Sequence, residues 1–119
     1  MAERDITSEI AAISATLASI EAVIDIEKLK RDQENLETQA GVPDLWNNPE
    51  NAQKITSALS RVQGTINKVT NLRYRVQDLP IMLELASAES DTSAKTEVEK
   101  ELDSLTTAIS DLEVQTLLS

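Results

Sequence analysis

Four carboxylates in the last third of the chain, Glu97, Glu99, Glu101 and Asp103, have the spacing that most directly permits chemistry. On a helix, Glu97 and Glu101 share one face, as do Glu99 and Asp103, because residues four apart lie one turn above each other. Such pairs can hold a divalent cation or share a proton. The competing reading is a solvated helix face, which the neighbouring Lys95 and Lys100 favour. Asp91-Thr92-Ser93-Ala94-Lys95 opens like a calcium loop, but Thr96 stands at the sixth position, where that loop needs glycine. A second cluster, Arg73-Tyr74-Arg75 with Arg61 and Lys68 on earlier turns, is basic and aromatic. Tyrosine can stack on a base while arginine binds phosphate. The plainer alternative packs Tyr74 at the edge of a helix bundle and lays the Arg73 methylenes over its core. Lys28-Leu29-Lys30-Arg31 is short for a nucleic-acid patch, and Asp25, Glu27, Asp32 and Glu34 flank it at pairing distance.

With no histidine and no cysteine, the chain lacks the usual general base, the thiol nucleophile, disulfides and most zinc ligands. Its two glycines, Gly41 and Gly64, are isolated, so no glycine-rich phosphate loop exists. The residues therefore name no catalytic, cofactor-binding or metal-binding position.

The elements that must position these groups are helical. Hydrophobic residues make up 40% of the 119, enough for one domain with a modest core, while aromatic residues make up 2%. Ile, Leu, Val and Ala must therefore build that core. Two glycines and three prolines are too few for the turns of an all-β fold, so the class is all-α. The formal net charge of −10 repels phosphates. Direct DNA or RNA binding is disfavoured, and so is an anionic membrane surface. A basic protein surface is the complementary partner; the alternative is that acidity only keeps the domain soluble. The N-terminus has no basic stretch followed by an apolar run, and no 18 consecutive residues are apolar, so neither a signal peptide nor a membrane span is read.

Apolar periodicity sets out the helices. Ile6, Ile10, Ile13, Leu17, Ile20 and Ile24 alternate four and three, which predicts a helix over 5–23 with small residues between. Asp25 is a cap or kink. Ile26, Leu29, Leu36 and Ala40 predict a second helix over 25–40, with Gly41 as its C-cap and Pro43 just beyond. A third stripe runs Ile55, Leu59, Val62, Ile66, Val69, then Leu72 or Arg73, then Val76 and Leu79, predicting a helix from 49 to 79 with a kink or short break near 78–80 at Pro80. Residues 81–86 add an apolar turn or two, and 87–93 read as a polar linker. Asp91 or Thr92 caps a last helix over 93–116, built on Val98, Leu102, Leu105, Ile109 and Leu112. Three to four long helices with short connections make an antiparallel bundle with coiled-coil-like packing. Leu85, Leu117 and Leu118 lack an obvious partner, which suggests one domain, residues 1–119, cut from a longer protein. The alternative is a tail docked on its own bundle.

The most distinctive run is the connection Pro43-Asp44-Leu45-Trp46-Asn47-Asn48-Pro49-Glu50. Asn48 suits an N-cap and Pro49 the first helical position, where its missing N–H costs nothing. Leu45 and Trp46 are expected to plug the end of the bundle, with the indole N–H on a carbonyl. An exposed, partner-binding Trp46 is the alternative.

This run, with Ala52-Gln53-Lys54 after it, Ile20 to Asp25 and Leu36-Glu37 before it, and Asp78-Leu79, Leu83 to Ala86 and Leu112-Glu113-Val114 beyond it, resembles the first domain of bacterial peptide chain release factors of the second type. The closing Leu117-Leu118-Ser119 is similar as well. The resemblance covers essentially the whole chain, and the tryptophan turn is its specific part. It implies cytoplasmic work in translation termination on the ribosome, at UAA and UGA codons. It also implies a place for this domain near the GTPase-associated centre and stalk base, and interplay with the class-II release factor GTPase. The family's Gly-Gly-Gln tripeptide and its Ser-Pro-Phe codon-reading motif have no counterpart here. The resemblance thus implies a domain that is not itself an enzyme. A reading of a different class is a stand-alone acidic adaptor or a secreted helical hairpin with a Trp-x-Gly turn; here that turn reads Trp46-Asn47-Asn48.

Overall fold

The structure, a computed structural model, describes residues 3–118. It holds four α-helices and, among the described residues, no strand. These are α1 (Ile6–Ile24), α2 (Ile26–Ala40), α3 (Pro49–Ala88) and α4 (Thr92–Leu117). A 3-10 turn, Leu45–Asn47, lies between α2 and α3. The fold is an all-α helical bundle, as the periodicity requires.

Each helix starts on a short polar side chain placed one residue before it, which accepts an otherwise orphaned N–H. Asp5 accepts from the Ser8 N–H (3.1 Å) and the Ser8 hydroxyl (2.7 Å). The hydroxyl bond chiefly, and the backbone bond second, hold the Asp5 carboxyl below the usual range. Asp25 accepts from the Lys28 N–H at 3.2 Å, Asn48 from the Asn51 N–H at 3.2 Å, and Asp91 from the Ala94 N–H at 3.1 Å. Asp25 adopts a left-handed backbone (φ 58°), a conformation that aspartate tolerates better than most residues. It separates α1 from α2 and caps the second of them. Gly41 ends α2 at φ −88°, so its freedom to adopt positive φ is not used there.

The chain divides into two compact units. The first gathers α1 through Val23, the part of α3 from Asn71 and α4. Its core is a set of interleaved stripes, all buried: Ile6, Ile10, Ile13, Leu17 and Ile20 from α1; Leu72, Val76, Leu79 and Ala86 from α3; Val98, Leu102, Leu105, Ile109 and Leu112 from α4. Helix α1 is long and apolar enough, by length and composition, to cross a membrane. Ile6, Ile10, Ile13, Leu17 and Ile20 nevertheless form one stripe that is buried here, the pattern of a helix packed on its neighbours, while Val23 is exposed. The second unit, Ile24–Thr70, is a hairpin of α2 and the first half of α3. Its buried residues are Leu45, Ala52, Ile66 and Val69. No residue of α2 is fully buried; Ile26, Leu29, Leu36 and Ala40 are half-covered. Two helices side by side can bury only the strips that face each other, so these stripes stay partly open. Gln63 Nε2 donates to Glu37 Oε1 across the hairpin (3.5 Å).

The expected break at 78–80 does not occur. Helix α3 runs uninterrupted through Pro80 to Ala88, and the connection to α4 shrinks to residues 89–91. Proline removes one backbone donor, but Pro80 is exposed, and staying helical keeps Val76, Leu79 and Ala86 on one buried stripe. Past Ala88 the chain turns through Ser90 in the left-handed region (φ 49°), with the Asp91 N–H donating to the Ala86 carbonyl (3.1 Å) and the Ser90 N–H to that of Ser87 (3.2 Å). This is the paired bonding of a Schellman helix end, with serine where glycine is usual.

Candidate protein-contact site at the Trp46 turn

The turn between α2 and α3 is tied by successive short-range backbone bonds. The Val42 N–H donates to the Gln39 carbonyl, Leu45 to Val42, Asn47 to Asp44 and Asn48 to Leu45, at 3.0 to 3.4 Å. The Asn48 carbonyl then accepts from the Ala52 N–H at 3.0 Å, and Pro49 opens α3 as its first residue. The turn is therefore held by its own backbone, before any side chain contributes.

Leu45 turns inward and is 8% exposed; Trp46 is 61% exposed. The expectation that both plug the bundle end is wrong for Trp46. In a 3-10 turn successive residues point about 120° apart. Once Leu45 takes the inner direction, its neighbour is carried outward. The indole accordingly stands on the surface; the same turn also borders a shallow depression lined by Gln39, Val42, Asp44, Leu45, Asn47, Asn48, Asn51 and Ile55, to which Trp46 does not contribute. Val42 is also exposed. A large aromatic held outward on a backbone-tied turn has the composition of a protein-contact anchor.

The other sequence candidates resolve into ion pairs. Arg73 and Arg75 point to opposite flanks of α3. Arg73 donates to Glu21 of α1 (Nη2 to Oε1, 2.7 Å) and to the Ser14 hydroxyl (2.9 Å). Arg75 donates to Glu101 of α4 through both Nη2 (2.6 Å) and Nε (3.0 Å). That bidentate contact raises the Arg75 pKa and holds the Glu101 carboxyl below the ordinary glutamate range. Tyr74 is 63% exposed rather than packed at the bundle edge. Helical geometry explains all three placements. With Leu72 and Val76 facing the core, residues 73 and 75 fall about 80° to either side and residue 74 points directly away. That signal stood in the sequence; taking the three residues as one cluster concealed it.

The carboxylates of α4 are occupied in the same way. Glu97 pairs with Lys100 (3.5 Å), Glu101 with Arg75, and Glu99 (3.8 Å) and Asp103 (2.5 Å) with Arg4, which also bonds Glu9. Among the described residues no group of three or more His, Cys, Asp or Glu is disposed to hold a metal ion. In α2, Lys28 pairs with Asp32 (3.1 Å) and Lys30 with Glu27 (3.7 Å), so that short basic run is largely neutralised.

Comparison with known proteins agrees with the resemblance carried by the Trp46 turn. Residues 29–119 match the family model of the PCRF domain. Over all 119 residues the chain is 48% identical to a protein of Salinispora tropica named peptide chain release factor 2, and 45% identical to its namesake in Streptomyces avermitilis. Over 113 residues it is 48% identical to the protein of that name in Corynebacterium aurimucosum, with 95% of the chain covered. The chain spans only 31–32% of the length of these three relatives. A match of this extent to release factors leaves the stand-alone adaptor and the secreted hairpin without support. The chain belongs to the PCRF domain family, in the form carried by proteins named peptide chain release factor 2.

Proposed function

We propose that residues 1–119 act as one domain of a longer bacterial release factor, in the cytoplasm. The domain's task is to position that factor on the ribosome during translation termination at UAA and UGA codons. It works through protein contacts near the GTPase-associated centre and stalk base and in interplay with the class-II release factor GTPase. It performs no catalysis itself and takes no cofactor. The observation that carries this reading is the similarity, over all 119 residues of the chain, to proteins named peptide chain release factor 2, combined with an exposed Trp46 on a backbone-locked turn. The acidic charge of −10 supports it, since basic protein surfaces are complementary to such a domain and nucleic acid is not.

Mechanistically each of the two units is preformed. The helix starts are capped, the turn is held by backbone bonds, and Arg73 and Arg75 clamp α3 to α1 and α4. Docking a preformed surface avoids the ordering cost that a flexible segment would incur. The test uses a full-length factor carrying this sequence and its Trp46→Ala variant. Ribosome affinity and the rate of peptide release at saturating factor are measured for both. The expected result is weakened ribosome binding with release at saturation unchanged. Unaltered binding, both for Trp46→Ala and for a factor lacking residues 1–119, refutes the reading.

A further inference from the structure

The outward face of α3 carries a second apolar surface that the Trp46 turn does not explain. Tyr74, Ile81 and Leu85 are 63%, 58% and 58% exposed. They stand at i, i+7 and i+11, so they line up within about 40° of one another on the side of α3 opposite its buried stripe of Leu72, Val76, Leu79 and Ala86. The stripe is about 17 Å long, three helical turns. Asp78 and Glu84 border it on either side and Glu89 lies just beyond its end. None of these three exposed carboxylates has an ion-pair or side-chain hydrogen-bond partner among the described residues. The nearest cation on this part of α3, Arg75, is already committed to Glu101.

We infer that this face of α3 is a docking surface for a basic amphipathic helix of a partner protein. Three outward apolar side chains in a heptad-like row suit the apolar seam of a second helix laid along α3. The unpaired carboxylates on both margins call for lysine or arginine flanking that seam. They also argue against a second copy of this chain as the occupant. Pairing the face with itself would bring like charges together on molecules that each carry −10. The inference rests on the reading of the chain as a protein-contact domain and supplies the chemistry of one contact. It concerns a different unit of the fold from Trp46.

The test uses the purified chain and a synthetic peptide of about 18 residues, five helical turns. Leucines form one seam of the peptide and lysines fill the remaining positions; a control peptide carries glutamate for lysine. Binding is followed by fluorescence anisotropy, and the site is mapped by amide NMR shifts. The lysine peptide is expected to bind, the glutamate peptide is not, and the shifts should concentrate within 74–89. Ile81→Ser/Leu85→Ser, which alters no charge, should weaken binding at least tenfold while helicity and melting temperature hold. Asp78→Asn/Glu84→Gln should weaken it severalfold and flatten its salt dependence. Val114→Ser, on the outward side of α4, should leave it unchanged.

Shifts scattered over the acidic surface, or binding indifferent to Ile81→Ser/Leu85→Ser, overturn the inference. A dimer of the chain that the double variant dissolves overturns it in favour of self-association. Protection of the 74–85 amides in a full-length factor without any partner overturns it in favour of the factor's own remaining domains. If Ile81→Ser/Leu85→Ser has no effect while Trp46→Ala still weakens ribosome binding, this inference fails alone and the proposed function stands.

Discussion

Replacing either member of the Leu45–Trp46 pair with alanine tests the central geometric result, because side-chain size and burial predict opposite orders. Trp46 is 61% exposed, so of the roughly 250 Å² that a tryptophan can bury, only ~100 Å² is covered. At ~25 cal/mol per Å² this covered area is worth about 2.5 kcal/mol as an upper limit. Compactness of the unfolded chain lowers it by about 10–40%, and the retained alanine lowers it further, which leaves about 1–2 kcal/mol. Leu45 is smaller but 8% exposed, and truncating a buried leucine costs about 2–5 kcal/mol. Leu45→Ala should therefore destabilise the domain more than Trp46→Ala. The assay is urea unfolding followed by circular dichroism, with equal slopes required before midpoints are compared. Trp46 is the only tryptophan, so the wild-type chain supplies an independent readout. Its emission should resemble that of tryptophan in water, and acrylamide should quench it almost as freely as the free amino acid. A Trp46→Ala loss equal to or larger than that of Leu45→Ala, or a blue-shifted and protected emission, would falsify the outward placement and restore the plug.

Gly64 lies inside α3 with nothing within 4 Å of an added Cβ, so Gly64→Ala should stabilise by about 1 kcal/mol, read as a raised urea midpoint. Ser90 sits at φ 49°, where an L-residue loses about 1–2 kcal/mol. Glycine there relieves that strain but adds about 0.5–1 kcal/mol of unfolded-state freedom, so Ser90→Gly should gain about 0.5–1 kcal/mol by the same measurement. The carboxyl of Glu101 titrates below its ordinary range because of the Arg75 hydrogen bonds. Its contribution is therefore present above the ordinary glutamate range and is lost as pH falls through the depressed native value. Glu101→Gln should destabilise near neutrality and make stability fall less steeply with acid, which melting curves from neutral to acidic pH will show.

The sequence carried more of the local structure than of the site. The a/d stripe of α4 reappears residue for residue as buried side chains, and that of α1 does so except at Ile24, which is half-covered, because a 3.5–3.6 repeat leaves a helix only one apolar face to cover. The caps Asn48 and Asp91 were equally legible, since a cap acts through backbone groups two or three residues away. Pro80 misled, because its local penalty was set against nothing; the buried stripe on either side outweighs one missing hydrogen bond. Arg73 and Arg75 read as a shared basic patch, although their angular separation on α3 sends them to different helices. The pairings of Arg4 with Asp103 and of Arg73 with Ser14 join residues 99 and 59 positions apart, and no local pattern encodes them.

By itself the sequence determined the class, the helices and the kinship. Periodicity, capping and composition act over a few residues, and the Trp46 turn is a contiguous string. Which side chains face outward was decided only in three dimensions. Leu45 and Trp46 are both apolar neighbours, and the choice of which one enters belongs to the 3-10 turn. Tyr74, Ile81 and Leu85 are large and apolar like the buried Leu72, Val76 and Leu79, yet this part of α3 has one core to cover and turns them away from it. Burial is a relation between elements, and so the surfaces left for a partner emerge only once the helices have packed.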